Sequence, residues 1–161
     1  MDLVILAHNI RSAENIGSLF RAADALGVQK VILTGYSPDT DHPKVKKTAL
    51  GAESAVAHEK STDILPILDK LKTEEYHILG LELDDRAIML DDCKPQTQKV
   101  ALLLGNEVDG IPSYLRDECD ELVYIPMHGI KESLNVTIAT AITAYQLINN
   151  RTRPPLTVIA N

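Results

Sequence analysis

The sequence predicts an α/β protein with a mostly parallel sheet and helices on both faces. Strand-type and helix-type stretches alternate in the order β-α-β, α-β, β-α-β-α, the arrangement such folds require. Several strand-type stretches, Leu3–Ala7 foremost, are short continuous apolar runs of the kind a sheet buries. The chain has 161 residues, 45% of them hydrophobic, and shows no internal repeat, linker or low-complexity segment. It therefore reads as one domain over 1–161, long enough to bury a sizeable core.

Leu3–Ala7 is the first strand. Ser12 is placed to cap the next helix, where Ile16, Leu19, Phe20, Ala23 and Leu26 recur at helical spacing until Gly27 ends it. Val31–Leu33 is a second short strand, and Gly35–Pro43 is a loop rich in Gly, Pro, Asp and Ser. A short basic helix over Lys44–Leu50 leads through Gly51 to a weak strand at Ala55–His58. Thr62–Leu71 reads as a helix in spite of Pro66. Strands follow at Tyr76–Leu83, Val100–Leu104 and Leu122–Ile125. A loop, Gly105–Pro112, and a short helix near Ser113–Glu118 separate the last two.

The stretch from Ile125 to Asn150 makes a polar turn around Gly129 and then a long helix. Apolar and small residues, among them Val136, Ile138, Ala141, Ile142, Tyr145 and Ile148, run round nearly its whole circumference. Such a helix is buried, in a core or between subunits. Ser133 and Asn135 read as its polar first turn, where backbone N–H groups lack helical partners. A tail with Pro154 and Pro155 ends the sequence.

Composition narrows the function classes. No apolar run is long enough to span a bilayer, and Leu3–Ala7 is too short and lacks the basic flank of a signal peptide, so cytoplasmic residence is the simplest reading. Cys93 and Cys119 are far apart, and neither they nor His8, His42, His58 and His77 show metal-like spacing, so no metal is expected. The net charge of −7 speaks against a general nucleic-acid coating protein but leaves room for a local basic patch.

Ligands in parallel sheets bind beyond the carboxyl ends of the strands. Three polar, Gly-bearing segments fall there: His8–Gly17 with Arg21 behind it, Gly105–Pro112, and the turn after Ile125. None is a GxxxxGK[ST] phosphate loop, and no GxGxxG follows the first strand, which disfavours nucleotide hydrolysis and hydride transfer.

These segments carry a family resemblance. Asn15-Ile16-Gly17-Ser18-Leu19-Phe20-Arg21-Ala22-Ala23-Asp24 resembles the first motif of the SpoU (TrmH-like) RNA ribose 2′-O-methyltransferases. Leu103-Leu104-Gly105-Asn106-Glu107 with Gly110 is similar to their second motif, and Ile125-Pro126-Met127 with Ser133-Leu134-Asn135-Val136 to their third. Order and spacing match along essentially the whole chain. The resemblance implies an α/β fold with a C-terminal trefoil knot, S-adenosylmethionine as cofactor, a homodimer, and methyl transfer to a ribose 2′-hydroxyl of tRNA or rRNA.

It also implies roles. Arg21, Asn15, Glu107, Ser133 and Asn135 are the candidate catalytic residues. Arg21 is suited to clamp an RNA phosphate and stabilise charge near the 2′-oxygen rather than to act as a base. Asn15 precedes it by six residues, about 9 Å along a helix, and doubles as a helix-start cap. Glu107 either holds its loop by accepting N–H bonds or orients Arg21. Ser133 and Asn135 bond the cofactor or ribose, or cap the last helix. Gly105, Ile125 and Leu134 match the backbone positions that hold the cofactor, with Leu81 and Met127 completing the wall. The role of Asp109 stays open, and His128 reads as a loop residue.

Many relatives carry an additional N-terminal RNA-binding domain; here the first strand begins at Leu3, so the dimer itself is expected to grip RNA. Arg11, Arg21, Lys44, Lys46 and Lys47, or Arg151 and Arg153, are the candidate phosphate contacts. Two other functions fit the residues less well: a catalytically idle RNA-binding or ribosome-assembly protein on the same fold, and a small-molecule nucleotide-binding module.

Overall fold

A computed structural model describes residues 1–149. Arg151, Arg153 and the Pro154-Pro155 tail lie outside the described residues. The element order is β1 (Asp2–His8), α1 (Ala13–Leu26), β2 (Lys30–Thr34), α2 (Pro43–Ala49), α3 (Ala52–Ala55), β3 (His58–Ser61), α4 (Leu65–Thr73), β4 (His77–Leu81), β5 (Ile88–Met89), a 3₁₀ turn (Leu90–Asp92), β6 (Lys99–Leu104), α5 (Ser113–Arg116), β7 (Glu121–Tyr124) and α6 (Val136–Asn149). The strands form one seven-stranded sheet in the order β3-β2-β1-β6-β4-β7-β5. Every pairing in it is parallel.

Parallel strands covered on both faces must be apolar on both sides, and β1 and β6 at the sheet centre are. Leu3, Ile5 and Ala7 face a core completed by Ile16, Leu19, Phe20 and Ala23 of α1 and by Ala144 and Leu147 of α6. Val4 and Leu6 face the other side, with Leu68 and Leu71 of α4 and Leu115 of α5. Ser12 caps α1 by accepting from the Asn15 N–H at 3.1 Å, and Gly27 closes it in the left-handed conformation.

Three expectations change. The weak strand at Ala55–His58 is instead the end of helix α3 followed by β3, which begins at His58. This edge strand, His58-Glu59-Lys60-Ser61, is polar along its length and is fixed by pairing with β2 rather than by any apolar pattern of its own. The two-residue strand β5 was not expected; it pairs with β7, and Ile88 packs against the core. The helix over Thr62–Leu71 begins later, at Leu65, with Pro66 in its first turn, where the missing N–H has no helical partner to lose.

The closing helix also differs. It starts at Val136, so Ser133 and Asn135 precede it; the Asn135 side chain accepts from the Thr137 N–H at 2.9 Å. It is buried on one side, through Thr137, Thr140, Thr143, Ala144 and Leu147, rather than all round. The buried hydroxyls of Thr140 and Thr143 donate back to the carbonyls of Val136 and Ala139. On the opposite side Ile138, Ile142 and Tyr145 are exposed within the chain, by 52%, 40% and 59%. No helix among the described residues is long and apolar enough to cross a membrane.

Candidate active site

Because all strand pairings are parallel, β1, β4, β6 and β7 deliver their carboxyl ends to one edge of the sheet. A cavity of about 410 Å³ opens there, within the size range of small-molecule sites. Leu81 from the end of β4, Leu104 and Gly105 from β6, Ile125 and Met127 after β7, and Leu134 and Val136 at the start of α6 wall it. All five residues expected to hold a cofactor therefore line one cavity. The walls also hold Glu82, Tyr124, Glu132 and Ala139, which the sequence reading did not pick out. Glu82 follows β4, which ends at Leu81; the expected strand ran on to Leu83 and so hid Glu82 from the rule that singled out the other edge segments.

Asn15 joins the three motif segments. Its side-chain amide donates to Glu107 at 2.8 Å, and its carbonyl oxygen accepts from the Asn135 amide at 3.0 Å. Its backbone carbonyl accepts from the Thr137 hydroxyl at 3.2 Å. Glu107 also accepts from the backbone N–H groups of Arg11 and Ser12, at 2.9 and 3.1 Å. A carboxylate at unpaired N–H groups of a helix start is favoured by their partial positive charge. Burial raises the Glu107 carboxyl, but its hydrogen bonds from Arg11, Asn15 and Ser12 together outweigh burial and hold it below its ordinary value. Glu107 accepts N–H bonds as expected, but from the segment before α1 rather than from its own loop. It holds the segment before α1, and no hydrogen bond or ion pair joins it to Arg21 among the described residues.

The Gly105–Pro112 loop is folded tightly on itself. Asn106 and Gly110 exchange backbone hydrogen bonds at 3.1 and 2.9 Å, and the Asn106 side chain accepts from the N–H groups of Val108 and Asp109. A Cβ on Gly105 would stand 2.2 Å from the Gly110 carbonyl carbon, so only glycine lets the two backbone segments meet. Glu82 braces the loop from β4 by accepting from the Ile111 N–H at 2.6 Å. Asp109 contributes its backbone here and leaves its side chain exposed.

The remaining candidates stand around this centre. Ser133 is exposed at the cavity mouth beside Asn135. Arg21 projects from α1 into solvent, outside the cavity lining, and makes no hydrogen bond or ion pair among the described residues. Arg11 is exposed at the segment Glu107 holds. Lys44 pairs with Glu14 at 3.0 Å, both exposed. Lys46 and Lys47 lie exposed in the last turn of α2, and His128 is exposed in the loop after β7. Burial pushes the Cys119 thiol up to about 12, aided by Asp120, so it stays protonated and is no nucleophile at neutral pH.

A second polar network, unforeseen from the sequence, lies over β1 and β2. His8 is buried, and its Nε2 accepts from the Asn9 side-chain amide at 2.9 Å. The proton of a neutral ring then sits on Nδ1 and is donated to Thr34 Oγ1, also at 2.9 Å. Burial lowers the His8 pKa. Asn9 in turn accepts from the Tyr36 N–H, and Asn106 donates to the Asn9 carbonyl and the Tyr36 hydroxyl. Only the residues between Ala7 and Gly17 hinted at it, as polar groups past a strand end.

Comparisons with known proteins agree with this geometry. The model of the SpoU rRNA Methylase family matches residues 2–145. The 23S rRNA (guanosine-2′-O-)-methyltransferase RlmB of Xanthomonas axonopodis pv. citri is 32% identical over 92% of this chain, which spans 59% of that protein. The 23S rRNA (guanosine(2553)-2′-O)-methyltransferase RlmP of Bacillus subtilis is 31% identical over 89% of this chain, which spans 57% of it. The chain thus spans less than two thirds of the length of either relative. The SpoU methyltransferase AviRb from Streptomyces viridochromogenes, solved in complex with the cofactor AdoMet, superposes with a TM-score of 0.85 at 29% identity, covering 94% of this chain and 61% of that one. With a family model matched from β1 into α6 and relatives above 30% identity along most of its length, the chain belongs to the SpoU rRNA Methylase family.

Proposed function

We propose that this chain is an S-adenosylmethionine-dependent RNA methyltransferase acting on a ribose 2′-hydroxyl. One observation carries the reading: Asn15 hydrogen-bonds both Glu107 and Asn135, so the three motif segments meet at the mouth of one cavity. The cavity suits the cofactor that AviRb is named as holding. Leu81, Leu104, Ile125 and Leu134 offer apolar surface for an adenine face, and the backbone at Gly105, Ile125 and Leu134 offers hydrogen bonds for its edge. Glu82, Glu107 and Glu132 line the cavity and no basic residue among the described residues does, which suits a cationic ligand. When bound, S-adenosylmethionine supplies an electrophilic methyl group on a sulfonium.

The chain's own residues supply position and charge. A ribose hydroxyl is a poor nucleophile and sheds its proton as it attacks, so catalysis needs alignment and stabilisation of the developing oxyanion. Arg21, whose side chain has no hydrogen-bond or ion-pair partner among the described residues, clamps an RNA phosphate and stabilises that charge. An RNA phosphate or a water takes the proton. Ser133 and Asn135 hold the ribose at the cavity mouth. Glu107 is a positioning residue that acts through Asn15. Arg11, Lys46 and Lys47 add phosphate contacts. Ribosomal RNA is the first substrate to try, since RlmB and RlmP are named for guanosines of 23S rRNA. An RNA substrate also fits cytoplasmic residence.

The reading includes a homodimer and a C-terminal trefoil knot. The apolar side of α6, Ile138, Ile142 and Tyr145, supports the dimer. The knot would thread the C-terminal segment through the Gly105–Pro112 loop. That loop and the segment from Ile125 to Val136 line the same cavity, which supports it. The residues matched by the family model fit a single methyltransferase domain.

Calorimetric titration with S-adenosylmethionine and its demethylated product, followed by transfer of labelled methyl to RNA, tests the proposal. Binding and incorporation into ribose are expected. RNA binding without cofactor binding would replace it with the idle RNA-binding protein, and cofactor binding without RNA binding with the nucleotide module.

A further inference from the structure

We propose that Tyr36 is a stacking platform for an unpaired RNA base flanking the target nucleotide; this rests on the RNA methyltransferase reading above. Tyr36 is 59% exposed, yet it sits on a heavily braced loop. Its N–H donates to Asn9 Oδ1 at 3.1 Å, and its hydroxyl accepts from Asn106. On either side of it the carbonyls of Gly35 and Ser37 accept from Lys60, and the buried Ser37 hydroxyl donates to the Ala7 carbonyl while accepting from the Ile10 N–H. Thr34 and His8 bond beneath. Tyr114 and Tyr145 are also exposed, but their rings have no such tether to a motif residue among the described residues.

Position adds the second part of the argument. Asn106, which holds the Tyr36 hydroxyl, precedes Glu107, which holds Arg11 and Asn15. Tyr36, Arg11 and the cavity mouth thus lie along one edge of the sheet, linked by direct hydrogen bonds. Single-stranded RNA is recognised by splayed bases stacking on aromatic side chains beside cations that track the phosphates. A ring already fixed before binding loses little freedom when a base stacks on it. Asp39 and Asp41 follow in the same exposed loop and repel phosphate, so the backbone of the RNA passes on the Arg11 side and leaves the ring to a base.

The test uses a mixed-sequence single-stranded oligoribonucleotide and its abasic counterpart, which keeps the phosphates and lacks the bases. The chain has no Trp, so Tyr36→Trp installs a sole indole reporter. Its fluorescence is expected to be quenched by the base-bearing oligomer and left unchanged by the abasic one. Tyr36→Ala should weaken binding of the base-bearing oligomer by about fivefold to a hundredfold, the range for losing one base–aromatic stack, with abasic-oligomer and S-adenosylmethionine affinities unchanged. Tyr36→Phe, which keeps the ring and loses the Asn106 bond, should retain most of the affinity. If the wild type binds the base-bearing oligomer while the indole signal stays flat, or if Tyr36→Ala weakens both oligomers equally, Tyr36 is a structural residue and the methyltransferase reading stands. If the wild type binds neither oligomer, both readings fall.

Discussion

The Asn135 side chain donates to the Asn15 carbonyl oxygen at 3.0 Å, joining positions 120 residues apart. The direction of this bond is set from one end. Glu107 can only accept when ionised, so the Asn15 amide donates to it and the Asn15 oxygen is left to accept from Asn135. The Asn135 oxygen is then available to the Thr137 N–H at the start of α6. Donation thus runs with one polarity from the third motif through the first to the second, ending on Glu107.

Reversing that polarity should cost more than removing it. Asn15→Asp places a second carboxylate against Glu107, whereas Asn15→Ala deletes the link without repulsion. Asn15→Asp is expected to lower stability by about 1–3 kcal/mol, more than Asn15→Ala. Adding Glu107→Gln should recover part of the loss, because a donor then faces the new carboxylate. Urea denaturation of the three variants checks the order. Equal losses with no recovery would mean the chain carries no directional information.

Two titrations should separate along the pH axis. Burial lowers the His8 pKa from 6.5, so the unfolded chain binds this proton more readily than the folded one. The His8 contribution is present above pH 6.5 and is lost as pH falls through the folded value. Glu107 is lowered from 4.5; its contribution is present above that value and is lost as pH falls further. Urea midpoints measured against pH should decline in two stages. His8→Gln should flatten the first stage and Glu107→Gln the second.

Gly105→Ala should damage both fold and cavity, because the new Cβ would meet backbone at Gly110 rather than a side chain able to turn away. A loss of about 1–3 kcal/mol or more is expected, with S-adenosylmethionine binding weakened. Gly129→Ala is the control: a Cβ there has nothing within 4 Å, and its effect should stay within about 0.5 kcal/mol. Thermal denaturation and calorimetry of both variants provide the check.

The exposed stripe on α6 makes a separate prediction. Wild-type protein should sediment as a dimer. Ile142→Glu, which puts a charge into the middle of that stripe, should shift it toward monomer. Unchanged sedimentation would place any subunit contact elsewhere.

Local signals in the sequence carried the local features. Ser12 and Gly27 mark the ends of α1 through side-chain and backbone chemistry that needs no tertiary context. The apolar runs at β1 and β6 mark the sheet centre because strands buried on both faces have no polar alternation to obscure them. Strand β3 was displaced because His58-Glu59-Lys60-Ser61 has neither apolar run nor alternation; only its neighbour β2 makes it a strand. The polar segments past strand ends were legible as such, the cofactor residues came from the family resemblance, and Glu82, Tyr124, Glu132 and Ala139 went unnoticed. The wiring of the site was not legible. Asn15 meets Glu107 and Asn135 across 92 and 120 residues, and no local pattern states which acceptor faces which donor. The bare side of α6 was hidden for a related reason: an all-round apolar helix does not say which of its sides the same chain covers.

The central claim is methyl transfer to an RNA ribose, with Arg21 acting on the RNA rather than on the cofactor. The most direct measurement incubates the protein and labelled S-adenosylmethionine with total RNA lacking its modification, then maps 2′-O-methylated riboses. The account predicts a methylated ribose that appears with wild-type protein and is absent with Arg21→Ala, while both proteins bind S-adenosylmethionine with similar affinity. Contradiction would come from an unchanged ribose map with wild-type protein, or from Arg21→Ala losing cofactor affinity and methyl transfer in equal measure.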